Sequence, residues 1–168
     1  MNQVTNESKA RASVVIERTY RAKLQDVWDL WTTKEGFASW WGPQGFRVDV
    51  FEMDARTGGT LHYEMVANTP EMIATMKQMK QPVSHPVRAR FAEVKPQERL
   101  VMTNIIDFLP NVATYESNIT VDFSVVGDSV RMAITLDAMH SEEFSKMQRE
   151  GFTSQLTKLD QRFGWNAS

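Results

Sequence analysis

The chain contains no cysteine. Disulfides, thiolate nucleophiles and cysteine-held metals are thereby excluded, and a cytoplasmic location is the matching expectation. Histidine is scarce. His62, His85 and His140 fall in separate segments, no pair has metal-ligand spacing and no HExxH occurs. There is no GxSxG elbow and no phosphate-binding loop. The carboxylates fall mainly on faces expected to be wet, and no pair is placed by spacing for acid–base work. No catalytic residue, metal site or cofactor is therefore assigned. Lys and Arg number 19 against 21 Asp and Glu, a net charge of −2. Without a basic excess, nucleic acid is not an expected partner. No stretch approaches the roughly 20 apolar residues of a membrane span. Met1 to Ala12 is polar and lacks the apolar core of a signal peptide.

What remains is a globular composition. Of 168 residues 42% are hydrophobic and 24% charged, enough for one domain with a real core. Residues 1–12 read as a frayed tail and 13–168 as a single domain. Ten methionines and five tryptophans exceed what a minimal core needs. Methionine fills irregular or adaptable apolar space.

The most regular stretch is the last, Ser141 to Phe163. Phe144, Met147, Gly151, Phe152, Leu156, Leu159 and Phe163 recur at spacings of three and four, one apolar stripe on a long helix. Glu142, Lys146, Arg149, Thr153, Thr157 and Asp160 take the opposite face. Ser141 is placed to cap the helix and Gly164 to stop it. Almost everything earlier alternates as strand. Val14–Tyr20 opens the series. Leu24, Val27, Trp28 and Trp31 then mark a short helix, and Lys34–Trp41 a second short helix or turn. Strands follow over Phe46–Met53, a hairpin partner around Leu61–Met65, Val87–Lys95, Arg99–Asp107, Tyr115–Val125 and Val130–Leu136. Gly127-Asp128 is a two-residue hairpin signal, and Leu109-Pro110-Asn111 a turn. The interruption is Asn68–Pro86, with three prolines. There Glu71–Lys80 suits a helix carrying Met72, Met76 and Met79 on one face. A sheet of about seven antiparallel strands that ends in one amphipathic helix buries its apolar face by curling over that helix.

This order is that of an α+β helix-grip fold, with two short helices after the first strand. Local residues sharpen the likeness. Trp28, then Phe37-Ala38-Ser39-Trp40-Trp41-Gly42-Pro43, then Arg56-Thr57-Gly58-Gly59-Thr60-Leu61, then Val94-Lys95-Pro96-Gln97-Glu98-Arg99-Leu100-Val101 resemble the activator of heat-shock protein 90 ATPase homologue-like family. That family lies in the START-like superfamily, and the resemblance spans about Ser13 to Phe163. It implies an interior cavity between sheet and helix that holds small apolar molecules. Two departures stand out. The family's usual Gly-Trp on the final helix is Gly151-Phe152 here, and Asn68–Pro86 is longer than the usual connection.

Trp40, Trp41, Phe46, Tyr63, Phe91, Tyr115 and Phe152 converge in such a fold. A packed core accounts for them. Asn104 and Ser117, polar but in register with inward apolar residues, argue for a pocket instead, since an apolar pocket with a few polar groups is how small-molecule sites look. The expected site has aromatic walls from Trp41, Tyr63, Tyr115 and Phe152 and adaptable walls from Met65, Met102 and Met147. Asn104 orients the ligand's polar end, and Met72, Met76 and Met79 form a lid. Gly151 is costly inside a helix, by about 1 kcal/mol relative to alanine, and suggests the close approach of another backbone or of a ligand there. Two other classes stay open. A cyclase- or hydrolase-like enzyme on an apolar substrate needs an inward His62 or a buried Glu64. A chaperone-interacting module needs an exposed apolar patch.

Overall fold

A computed structural model describes residues 13–107 and 111–165. The expected N-terminal tail, and Leu109 and Pro110 of the expected turn, lie outside the described residues. Seven strands form one antiparallel sheet: β1 (Val14–Tyr20), β2 (Phe46–Met53), β3 (Thr60–Ala67), β4 (Ser84–Lys95), β5 (Arg99–Ile106), β6 (Tyr115–Val126) and β7 (Ser129–Leu136). Their spatial order is β1-β7-β6-β5-β4-β3-β2. Between β1 and β2 lie the short helices α1 (Leu24–Thr32) and α2 (Lys34–Ala38). Helix α3 (Pro70–Gln78) interrupts the run from β3 to β4, and α4 (Glu142–Phe163) closes the chain.

Local chemistry explains the boundaries. Ser141 Oγ accepts from Phe144 N at 3.2 Å, and Gly164 ends α4 with φ of 65°, the left-handed geometry that glycine takes without strain. Thr33 serves two helices. Its Oγ1 donates to Asp29 O at 2.8 Å at the end of α1 and accepts from Gly36 N at 3.0 Å at the start of α2. Helix α2 stops at Ala38 and the chain continues as a turn through Trp40, in keeping with the expected helix or turn, and Trp40 and Trp41 are buried there. Strand β4 begins at Ser84, earlier than the expected Val87, and runs through Pro86. Proline is tolerated because this end of β4 pairs with β3 alone, its pairing with β5 starting only at Ala89.

The sheet bends at two bulges, Val50/Glu52 in β2 and Phe91/Glu93 in β4, and bulges increase local twist. The Arg56–Thr60 turn is stitched onto the second. Gly58 N donates to Phe91 O at 2.7 Å, Phe91 N to Gly59 O at 2.8 Å, and Val94 N to Thr57 Oγ1 at 2.9 Å. The motif thus holds β3 against the irregular part of β4.

The two faces differ sharply. The convex face carries cross-strand ion pairs: Arg90 with Glu116, Arg88 with Asp107, Arg99 with Asp122 and Arg131 with Glu17. Such exposed pairs are worth little each, and this face reads as solvated. The concave face is apolar and fully packed over much of its area. Phe91, Met102, Ile119, Leu136, Leu100, Val121 and Ile134 lie beneath Trp31, Trp40, Phe152, Leu156 and Leu159.

Candidate functional site: the open end of the concave face

One strand and one loop hold α4 across the sheet. Its last turns are fixed to β1: Asp160 Oδ1 accepts from Arg18 Nε at 3.0 Å and from Tyr20 OH at 2.6 Å, and Tyr20 stacks on Phe163. Its middle is fixed to the Trp-Trp-Gly-Pro loop. Gly42 N donates to Gln155 Oε1 at 3.0 Å, Lys158 Nζ donates to Gly42 O at 2.8 Å, and Gln44 N donates to Ser154 Oγ at 3.1 Å. Burial lowers the Lys158 pKa below the ordinary lysine value. Asp160 and Thr157 were assigned to the wet face from their spacing. The structure corrects this: Asp160 sits in a nearly buried ion pair and Thr157 Oγ1 accepts from Gln44 Nε2. Gln155, only 4% exposed, is a buried polar side chain that the periodicity of apolar residues alone does not single out. Its position three residues after Phe152 and four before Leu159 was the available signal.

The expected aromatic walls separate into two groups. Trp41, Tyr63 and Phe152 belong to a packed cluster. Trp41 Nε1 donates to Tyr63 OH at 3.0 Å, and the Trp41 and Phe152 rings meet edge-on at 5.6 Å. Burial pushes the Tyr63 pKa up to about 12, the Trp41 bond pulling the other way. Met102 is fully buried in the same core. Tyr115 lies apart, half-buried, its OH 2.9 Å from His140 Nδ1, and His140 packs on Phe144. Met65 is also half-buried. Met147 departs from the expectation: at 55% exposure it lies on the solvent side of α4.

Packing therefore loosens along the concave face. Under the second half of α4 the core is closed. Toward its first half, Phe144, Gln148 and Gly151 above and Met65, His85, Val87 and Tyr115 below are all only partly buried. At the boundary Ala89, Asn104 and Ser117 form a row across β4, β5 and β6. Among the described residues, Asn104 Oδ1 and Ser117 Oγ, on paired positions of β5 and β6, are buried without a hydrogen-bond partner, and so is Gln155 Nε2. Leaving a buried polar atom unpaired costs about 1–3 kcal/mol. Ser117→Ala is accordingly expected to raise stability by about 1 kcal/mol, visible as a higher denaturant midpoint with an unchanged slope.

The open end is bounded by Tyr115, His140 and Phe144 on one side and by the 42–46 loop on the other. An added Cβ on Gly151 would meet only Pro43 Cγ, at 3.9 Å. Among the described residues no backbone of another element comes within 4 Å of that Cβ, so a backbone approach does not account for this glycine. Helix α3 borders the same loop, with Met72 against Gly45. Met72 and Met76 are partly buried, whereas Met79 is 58% exposed. His85 shares the concave parity with Val87 and Ala89. Burial lowers its pKa and Glu64 opposes the shift. His62 and Glu64 take the other parity. His62 meets Phe51 edge-on, and Glu64 accepts from Ser84 Oγ. A separate surface groove of about 470 Å³ lies among Arg21, Lys23, Leu24, Val125, Ser129 and Val130.

A curved seven-stranded sheet gripping a long C-terminal helix defines a START-like, helix-grip protein. The family model for "Activator of Hsp90 ATPase homolog 1-like protein" matches residues 21–164, and the chain belongs to that family. None of the curated proteins matches the sequence. Among solved structures, one protein from Chromobacterium violaceum is 20% identical with a TM-score of 0.73, covering 91% of this chain and 97% of that one. The AHSA1 protein from Silicibacter pomeroyi is 20% identical with a TM-score of 0.70, at 91% and 98% coverage. An AHSA1-like protein from Aeromonas hydrophila is 15% identical with a TM-score of 0.65, at 93% and 96% coverage. At such identities these likenesses establish the fold alone. No helix among the described residues is long and apolar enough to cross a membrane.

Proposed function

We infer that this protein binds a small, largely apolar molecule at the open end of the concave face, beneath the first half of α4. The observation that carries this reading is the pair Asn104 Oδ1 and Ser117 Oγ, buried and unpartnered at the edge of an otherwise apolar surface. A site of this kind uses apolar area for affinity and a few polar groups for orientation. The half-buried Met65, Val87 and Tyr115 supply the walls, and Met72 and Met76 on α3 lie where a lid would stand. Trp41, Tyr63, Met102 and Phe152 pack behind it as a rigid wall. The reading needs no catalytic group. An enzyme using His62 or Glu64 is disfavoured because both take the convex parity. A cytoplasmic location suits a carrier or sensor of such a molecule.

The test is native mass spectrometry of the purified protein with a thermal-shift screen of lipids, flavonoids and polyketides. A retained mass or a stabilising compound is the expected result. Gly151→Leu, which fills the space beside Pro43, is expected to keep the fold and cut that compound's affinity at least about tenfold, the scale of losing roughly 1.4 kcal/mol. No retained mass and no shift across the panel would overturn the reading. Binding to purified heat-shock protein 90 instead would favour the chaperone partner that the family name suggests.

A further inference from the structure

We propose that this site selects an uncharged ligand whose head group carries a hydroxyl, and that it rejects carboxylates. The inference rests on the binding site inferred above and adds the chemical class of what enters it. The polar groups buried at the open end, Asn104 and Ser117, are neutral, and the histidines nearest it are His85 on β4 and His140 at the rim, the latter hydrogen-bonded to Tyr115. Asn104 and Ser117 offer an amide and a hydroxyl from adjacent strands, directly opposite each other in the register. Side chains so placed stand about 5 Å apart at Cβ, a span one hydroxyl can bridge by accepting from one and donating to the other. Which amide atom faces the ligand does not matter to this argument, because either end of Asn104 leaves Ser117 to complete the pair.

The cations that the fold carries onto or beneath this face are already engaged, and Lys146 and Arg149 on the first half of α4 are exposed to solvent. Arg18 is held by Asp160 and lies 4.0 Å over the Trp165 ring. Lys158 is held by the Gly42 carbonyl. Arg88, Arg90, Arg99 and Arg131 take convex parity and face carboxylates there. His85, the titratable group on the concave parity, is kept toward its neutral form by burial. A carboxylate entering this end would leave water without meeting a positive charge, which is among the costliest transfers a protein can impose. A long-chain alcohol or a hydroxylated ring system meets no such penalty, and its hydroxyl supplies the two missing partners at once.

The experiment is calorimetric titration at pH 8 with 1-decanol, methyl decanoate and decanoate, each below its aggregation limit. Decanoate is ionised there, its carboxyl titrating near 5 or below like other carboxylic acids. The expected order is decanol tightest, the ester weaker, and decanoate weaker than decanol by at least about tenfold. Asn104→Leu is expected to reduce decanol affinity several-fold and to bring it level with the ester. Ser117→Ala, the smaller change, should act in the same direction should Asn104→Leu fail to fold. Decanoate binding as tightly as decanol would overturn the charge selection while leaving the site intact. Loss of neither variant's preference for decanol would overturn the role of the Asn104–Ser117 pair. No binding by any of the three would overturn the site and the selection together.

Discussion

Gly59→Ala is expected to destabilise this protein by on the order of 4 kcal/mol, at the upper end of what single substitutions do. A Cβ at position 59 would sit 1.8 Å from Asp54 O and 3.0 Å from Arg56 O. Both are backbone atoms in a turn held by its own hydrogen bonds, Arg56 N to Asp54 O and Gly59 N to Arg56 O. Neither can move alone. To admit the methyl the turn must open, and that releases the bonds joining Gly58 and Gly59 to Phe91 at the β4 bulge. Gly58 is the internal control. It has φ of 87° and nothing within 4 Å of an added Cβ. Gly58→Ala meets backbone strain but no collision, and should cost about 1 kcal/mol. Urea unfolding of the two variants checks the contrast. Equal, small losses for both would show that the turn is not braced on β4 as described.

The same turn shows what a sequence discloses. Gly58-Gly59 is readable as a place where backbone geometry excludes side chains. That the geometry serves β4 is not readable, because the bulge at Phe91/Glu93 leaves no mark in the alternation of Val87, Ala89 and Phe91. Strand and helix limits are legible where burial has a strict period. Phe46–Met53 begins and ends as expected, and α4 starts after Ser141 as its cap predicts. Periodicity fails where polar atoms do structural work. Asp160 and Gln155 look like wet-face residues by chemistry, yet one anchors α4 to β1 and the other to Gly42. The site was half legible. Strand parity alone places Asn104 and Ser117 on the concave face. It cannot distinguish Tyr63 and Met102, which fill the core, from Met65 and Tyr115, which are only half-buried. That distinction depends on how far α4 leans over each row, a tertiary property. Met147 shows the same limit, since a stripe defined by threes and fours is wide enough to include a residue at its solvent edge.

Removal of the Asp160 carboxylate is the second large effect. Asp160→Ala is expected to cost about 3 kcal/mol, the scale of breaking a buried ion pair. The side chains of Arg18 and Asp160 are only 12% and 13% exposed, so water screens the pair poorly. Without the carboxylate, the Arg18 guanidinium stays beneath α4 on the Trp165 ring with its charge unmet, and the Tyr20 hydroxyl loses its acceptor. Asp160→Asn keeps an acceptor and loses the charge, and should cost less. Arg18→Met with Asp160→Leu removes both charges and should recover much of the loss, since uncharged replacements of buried pairs are often neutral. Tyr20 adds a pH signature. Burial first, then the Asp160 hydrogen bond, raises its pKa well above the ordinary tyrosine value. A raised pKa favours the neutral form in the folded state. The stability it contributes is complete below about pH 10 and is lost progressively as pH rises beyond that. Ultraviolet titration should show Tyr20 resisting ionisation where an unfolded tyrosine ionises, and Asp160→Ala should weaken that resistance. A wild-type-like stability for Asp160→Ala would mean that the Asp160 anchor adds nothing to what apolar packing and the Gly42 clasp supply. The height of α4 above Asn104 and Ser117 would then be set by that clasp and the packing, and not by β1.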